Sequence, residues 1–184
     1  MNRLVGRAIE EFIKNNYGDA LWQKAVNPSY APAHDVARIA GLETLATAAC
    51  LLNKPGAELS EDFGAWLARL EPVRRLLRFS GRDFIDFLLS LEELPDRVRL
   101  IAVGLAFPKL RVFRVSGQFV TLTVEESTTA WTPVLAGVVR TMADDFGALG
   151  LIQSIGFQVH VQVLDDSFSS GRDFRICGSE ATVS

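Results

Sequence analysis

The sequence predicts an α+β fold: an N-terminal helical lobe, then a lobe built on an antiparallel β-sheet with packed helices. Three observations predict it. Apolar residues recur at three- and four-residue spacing through the first half of the chain, the period of an amphipathic helix. In the second half the period falls to two where Phe157, Val159, Val161 and Val163 alternate with Gln158, His160 and Gln162, as in a strand with one wet face. One further helical stretch, from Trp131 to Phe146, interrupts the strands. A chain of 184 residues suits a single domain, here expected to span 1–184 as a helical lobe over about 1–60 and a mixed lobe over about 61–184.

The elements follow in order. Leu4, Ala8, Ile9, Phe12 and Ile13 form the apolar stripe of a first helix, which Tyr17-Gly18 ends, since glycine accepts the left-handed conformation at a helix C-terminus. Asp19 can cap a short helix through Trp22 to Val26. Two prolines and an asparagine make 27–32 a loop. A helix is expected over 35–52, stopped by Asn53-Lys54-Pro55-Gly56, and another capped by Ser60-Glu61-Asp62 and carrying Phe63, Trp66, Leu67 and Leu70. Gly81 starts or bends the next, which buries Phe84, Ile85, Phe87, Leu88 and Leu91. Strands over 110–115 and 118–124 meet at Ser116-Gly117 as a hairpin. After the Trp131 helix and the alternating strand, 165–171 reads as a turn and 172–177 as a last strand.

Composition narrows the function. The chain is 48% hydrophobic and 22% charged with a net charge of -3, ordinary for a globular protein and contrary to a nucleic-acid partner. Charge is uneven: 69–114 holds ten basic residues against six acidic ones, about +4, and the remainder carries about -7. Arg74, Arg78 and Arg82, extended by Glu71 and Asp86, would share one face of a helix as a salt-bridged stripe; the excess also leaves room for an anionic group or an acidic partner. Cys50 lies in an apolar stretch and reads as a core residue, Cys177 ends a strand-like segment, and no disulfide framework is implied. With no apolar signal core and no run approaching the ~20 residues of a membrane span, a cytoplasmic location is expected.

Catalytic chemistry is missing. His160 falls on the polar face of its strand, and His34 lies in a Pro-Ala-His-Asp loop; two distant histidines without a Cys-x-x-Cys pair do not make a zinc site. The sequence holds no nucleophile elbow, phosphate loop or dinucleotide fingerprint. Gly147 and Gly150 read as helix-end glycines, and the pairs Glu61-Asp62, Glu92-Glu93 and Asp144-Asp145 as solvated helix ends. An enzyme is not expected.

One segment says more. Phe84-Ile-Asp-Phe-Leu-Leu-Ser-Leu-Glu-Glu-Leu-Pro-Asp-Arg-Val-Arg-Leu100 resembles the stretch of heme-nitric-oxide/oxygen-binding (H-NOX) domains that carries the heme-ligating histidine, a Leu-x-x-Leu-His followed by Asp-x-Val-x-Leu. Leu4-Val5-x-x-Ala8-Ile9-x-x-Phe12 and Asn16-Tyr17-Gly18-x-x-x-Trp22 resemble the family's opening helices, and Phe63-Gly64 its middle helix. Pro108 follows Pro95 by thirteen residues, the family's spacing between its histidine and its heme-flattening proline. Trp131-Thr-Pro-Val-Leu-Ala-Gly-Val-Val resembles the helix after the family's Tyr-x-Ser-x-Arg motif. The resemblance covers nearly the whole chain, with a shortened loop at 27–35.

The departures bear on function. Pro95 stands where the family has its axial histidine, and proline has no lone pair for iron; it does suit the first turn of a helix. Val124, Glu126 and Thr128 stand where Tyr-x-Ser-x-Arg would clamp the heme propionates. The resemblance therefore implies the fold without heme. Carried over from the family, the positions lining the space between the lobes are Val5, Ile9, Leu91, Leu94, Pro95, Pro108, Val124 and Leu135, all apolar. The expected function is a heme-free sensor that binds a hydrophobic small molecule there, with or without an acidic group. It would signal to a partner such as a histidine kinase or a cyclic-nucleotide enzyme. The alternatives are a ligand-free interaction module, or a heme sensor with Cys50 or His34 as substitute ligand.

Overall fold

The structure is a computed structural model that describes residues 3–30, 42–101, 107–125 and 129–165. Among these lie eight α-helices and four strands. The helices are α1 (Arg3–Tyr17), α2 (Asp19–Ala25), α3 (Leu42–Leu51), α4 (Gly56–Arg69), α5 (Glu71–Arg78), α6 (Phe84–Ser90), α7 (Leu94–Ile101) and α8 (Trp131–Phe146). The strands are β1 (Lys109–Arg114), β2 (Phe119–Glu125), β3 (Leu149–Ile155) and β4 (Gln158–Asp165). They form one antiparallel sheet in the order β1-β2-β4-β3.

The α+β class follows from the periodicities. In β2 and β4 Val120, Leu122, Val124, Val159, Val161 and Val163 are buried, and α8 packs over the sheet against β3 and β4. On the opposite face His160 pairs across strands with Thr121, their Nδ1 and Oγ1 atoms 3.2 Å apart. The β1-β2 hairpin turns at Ser116-Gly117 as expected.

The most extensive helix contact is α4 on α8, and two glycines make it possible. A Cβ at Gly64 would run into the carbonyl of Val134, and one at Gly137 into the carbonyl of Glu61. Each helix thus lays its backbone against the other's glycine. Arg140 of α8 ties the crossing down: it pairs with Glu61 of α4 and donates to the Ile152 carbonyl of β3 at 3.0 Å. Phe12, Phe63 and Trp66 form an aromatic cluster that joins α1 to α4, with ring centroids 5.4 to 6.2 Å apart.

Several expectations are corrected. Cys50 is exposed, not a core residue: on α3 the buried face is Leu42, Leu45, Ala48 and Ala49, and Cys50 lies turned away from it. Ser60-Glu61-Asp62 does not cap α4, which starts at Gly56 with Pro55 as N-cap; the proline that stops α3 has a φ of -56°, suited to opening the next helix. The Arg74-Arg78-Arg82 stripe is broken, because α5 ends at Arg78 and α6 starts after Asp83, whose side chain accepts from the Asp86 N–H at 2.8 Å. Arg74 bonds Asp145, Arg78 lies over the Phe146 ring, and Arg82 pairs with Asp86. Gly147 does end α8, at φ 67°, but Gly150 lies in β3, a strand the sequence reading missed. His34, Cys177, the start of the helix expected from residue 35 and the last strand expected over 172–177 lie outside the described residues. The expected lobe boundary near 60 falls inside α4.

Replacing Gly64 or Gly137 with alanine adds at most about 1 kcal/mol of helix propensity and forces an overpacked contact that typically costs roughly 1–3 kcal/mol or more. Both variants should therefore unfold at lower temperature and lower urea concentration than the parent. Gly56→Ala, with open space around its Cβ position, serves as control and should be neutral or slightly stabilising. Equal stability of all three variants would contradict the close crossing.

Candidate functional site

A partly open cavity of about 300 Å³ lies where the helices meet the sheet. Its walls come from Leu4, Val5 and Ala8 of α1, Phe63 and Leu67 of α4, Pro72, Val73, Leu76 and Leu77 of α5, and Leu94 and Val98 of α7. The sheet side supplies Phe107, Pro108, Leu110 and Val124, and α8 supplies Trp131, Val134, Leu135 and Val138. Each helix contributes residues spaced by three or four, as a single face must.

Five of the eight expected lining positions, Val5, Leu94, Pro108, Val124 and Leu135, surround this cavity. Three do not. Ile9 is buried in the core, one residue round from the lining Ala8. Leu91 lies in a 3-10 turn (Leu91–Glu93) that packs on β1. Pro95 is buried but sits one residue after the lining Leu94, about 100° round α7. The wall that sequence reading missed is α5. Its Val73, Leu76 and Leu77 have helical spacing, a signal hidden behind the more conspicuous arginines of the same stretch.

Helix α5 is fastened from outside the cavity. The guanidinium of Arg74 donates from Nε and Nη2 to both carboxylate oxygens of Asp145 at 2.6 and 2.7 Å; this hydrogen bond holds the Arg74 pKa above its ordinary value. The Arg78 guanidinium sits 4.1 Å from the centroid of Phe146, a cation–π contact. Both partners belong to the last turn of α8. The basic excess of 69–114 is largely consumed in this way: Arg74, Arg75, Arg82, Arg97, Arg99 and Arg111 are all ion-paired.

The donor set of the described lining does not fit heme. It contains no His, Cys, Met or Tyr to bind iron and no cation to meet a propionate. The volume is also small. An apolar cavity of about 150 Å³ holds one benzene, so this one has room for roughly twice that, far short of a porphyrin. Cys50, considered as a substitute ligand, is exposed on α3 and does not line the cavity. Among the described residues no three His, Cys, Asp or Glu side chains gather as a metal site.

The comparisons with known proteins now decide the family. The model of the haem-NO-binding (HNOB) family matches residues 3–149. The chain belongs to the H-NOX family. The fold agrees: an H-NOX protein from S. oneidensis, solved in the Fe(II)NO ligation state, is similar with a TM-score of 0.70 at 13% identity, over 90% of this chain and 100% of the other. An unliganded Fe(II) H-NOX mutant from K. algicida gives 0.69 at 15% identity, covering 91% and 99%. A mutant H-NOX from T. tengcongensis gives 0.66 at 12% identity, covering 90% and 98%. No curated protein sequence matches the chain. H-NOX is a family of sensor domains that act through partner proteins and are not themselves catalytic. No helix among the described residues is long and apolar enough to cross a membrane.

If Arg74 and Asp145 hold the α5 wall of this H-NOX domain in place, Asp145→Asn should loosen that wall alone. Native-state hydrogen exchange should become several-fold faster for α5 amides and stay unchanged for the middle of α8. Uniform acceleration of both helices would show instead that the pair stabilises the whole fold.

Proposed function

We propose that this H-NOX domain works without heme, as a sensor that binds a hydrophobic small molecule in its central cavity and passes the resulting shift to a signalling protein. One observation carries the reading: the lining is apolar throughout the described residues. The sequence supports it at Pro95, where the family resemblance expects the axial histidine, and at Thr128, where it expects the propionate-binding arginine.

Apolar walls favour the transfer of an apolar molecule from water, at roughly 25 cal/mol per Å² buried. Binding alone does not signal, because a ligand shifts an equilibrium only by its difference in affinity between two arrangements. The cavity offers such a difference, since α1, α5, α7, α8 and the sheet all contribute to its wall. A molecule that fills it favours whichever spacing of these elements matches its width. A histidine kinase or cyclic-nucleotide enzyme, the kind of partner the family resemblance implies, would read that spacing.

Two experiments test this. Protein expressed with ample heme should purify without a Soret band, and Pro95→His alone should not create one at one-to-one stoichiometry, because the cationic clamp would still be missing. A stoichiometric Soret band in the parent protein would refute the heme-free reading. In the second experiment, lipophilic compounds should raise the melting temperature with the logarithm of their concentration. Val5→Trp, which narrows the cavity, should abolish the shift in a folded protein. No response to any lipophile would favour a ligand-free interaction module.

A further inference from the structure

We infer that the cavity selects an uncharged ligand of about a dozen heavy atoms and rejects carboxylic acids in their ionised form. This rests on the reading of the cavity as a ligand site and adds the ligand's charge and size.

Charge is decided by what the lining lacks. Its described side chains are Leu, Val, Ala, Phe and Pro, with Trp131 as the one residue bearing a polar side-chain atom. The indole N–H only donates, and among the described residues none of the lining carries a charge. A carboxylate brought inside would lose its water and gain no cation, a penalty proteins normally avoid by neutralising the group. The two arginines of α5 nearest the wall in sequence are engaged elsewhere: Arg74 is bound to Asp145 and Arg78 lies on Phe146, both outside the cavity. Two stretches next to the lining in sequence hold no basic residue. Residues 102–106 read Ala-Val-Gly-Leu-Ala, and 126–128 read Glu-Ser-Thr, which brings a negative charge.

Size is decided by volume. The cavity's 300 Å³ is about twice the ~150 Å³ apolar cavity that accepts benzene, hence about twelve heavy atoms: a two-ring hydrocarbon or a chain near ten carbons. Half-exposed Leu4 belongs to the lining, so the cavity reaches solvent beside α1, and a polar end can remain there only if the ligand is longer than the cavity.

The experiment uses the full chain and three probes: naphthalene, methyl decanoate and decanoate, the last two nearly equal in shape and different in charge. At pH 8, naphthalene and methyl decanoate should raise the melting temperature and decanoate should not. Calorimetric affinity for decanoate should improve about tenfold for each pH unit lowered towards its carboxyl pKa, near that of a glutamate at about 4.3, while affinity for methyl decanoate stays flat. Leu135→Trp on α8 and Val73→Trp on α5 should each remove the response to methyl decanoate; if one fails to fold, the other retains the test. Decanoate binding at pH 8 as tightly as the ester would overturn the neutral-ligand inference and leave the cavity reading standing. Ester binding that survives both tryptophan variants would place the site elsewhere and overturn both. Silence from all three probes would overturn the proposed function and this inference with it.

Discussion

The crossing of α4 and α8 is the constraint on which the rest of the structure depends. Gly64 and Gly137 let the two backbones touch, and with any larger residue at either position the helices must separate. Because α8 lies on the sheet and α4 carries Phe63 and Trp66 into the aromatic cluster with Phe12 of α1, this one contact sets the distance between the helical layer and the sheet. Arg140, gripping Glu61 and the Ile152 carbonyl, fixes the same distance from the solvent side. The cavity is the space left beyond the crossing, where α8 supplies Trp131, Val134, Leu135 and Val138 and α4 supplies Phe63 and Leu67. Close approach at the glycines and room beside them come from the same geometry.

What fills that room depends on side-chain chemistry more than on fold. H-NOX structures solved in Fe(II) states share this fold at 13–15% identity, so the fold tolerates wide sequence change. The family resemblance expects an axial histidine at Pro95, and the described wall offers no charge. Carbon surface with neither water's partners nor a charge's partners favours a dry, lipophilic occupant, and α5 is latched to α8 from outside that space.

Much of this was legible in the sequence. Alternation in 157–163 and the heptad-like stripe of 4–13 name their elements because one buried face repeats at a fixed period. The 131–146 helix was read to the residue, with Gly147 as its stop. Two kinds of feature were not legible. Strand β3, Leu-Gly-Leu-Ile-Gln-Ser-Ile, buries only Ile152 on its covered face and so has no clear alternation; its pairing with β4 defines it. The α5 wall and the break after Arg78 were hidden because three arginines at helical spacing imitate one continuous face. Cys50 was misplaced because an apolar neighbourhood in sequence does not say which side of a helix is covered. At the site, family correspondence brought five positions to the cavity, while Ile9, Leu91 and Pro95 lie one helix face or one turn away.

The central claim, that an apolar and accessible cavity occupies the heart of this H-NOX domain, is tested most directly by crystallography under xenon pressure, since xenon enters dry apolar cavities. Xenon should appear within van der Waals distance of Val5, Leu94, Val124 and Leu135, with no heme in the density. A fully packed interior without xenon at that place, or a porphyrin ligated there, would contradict the account.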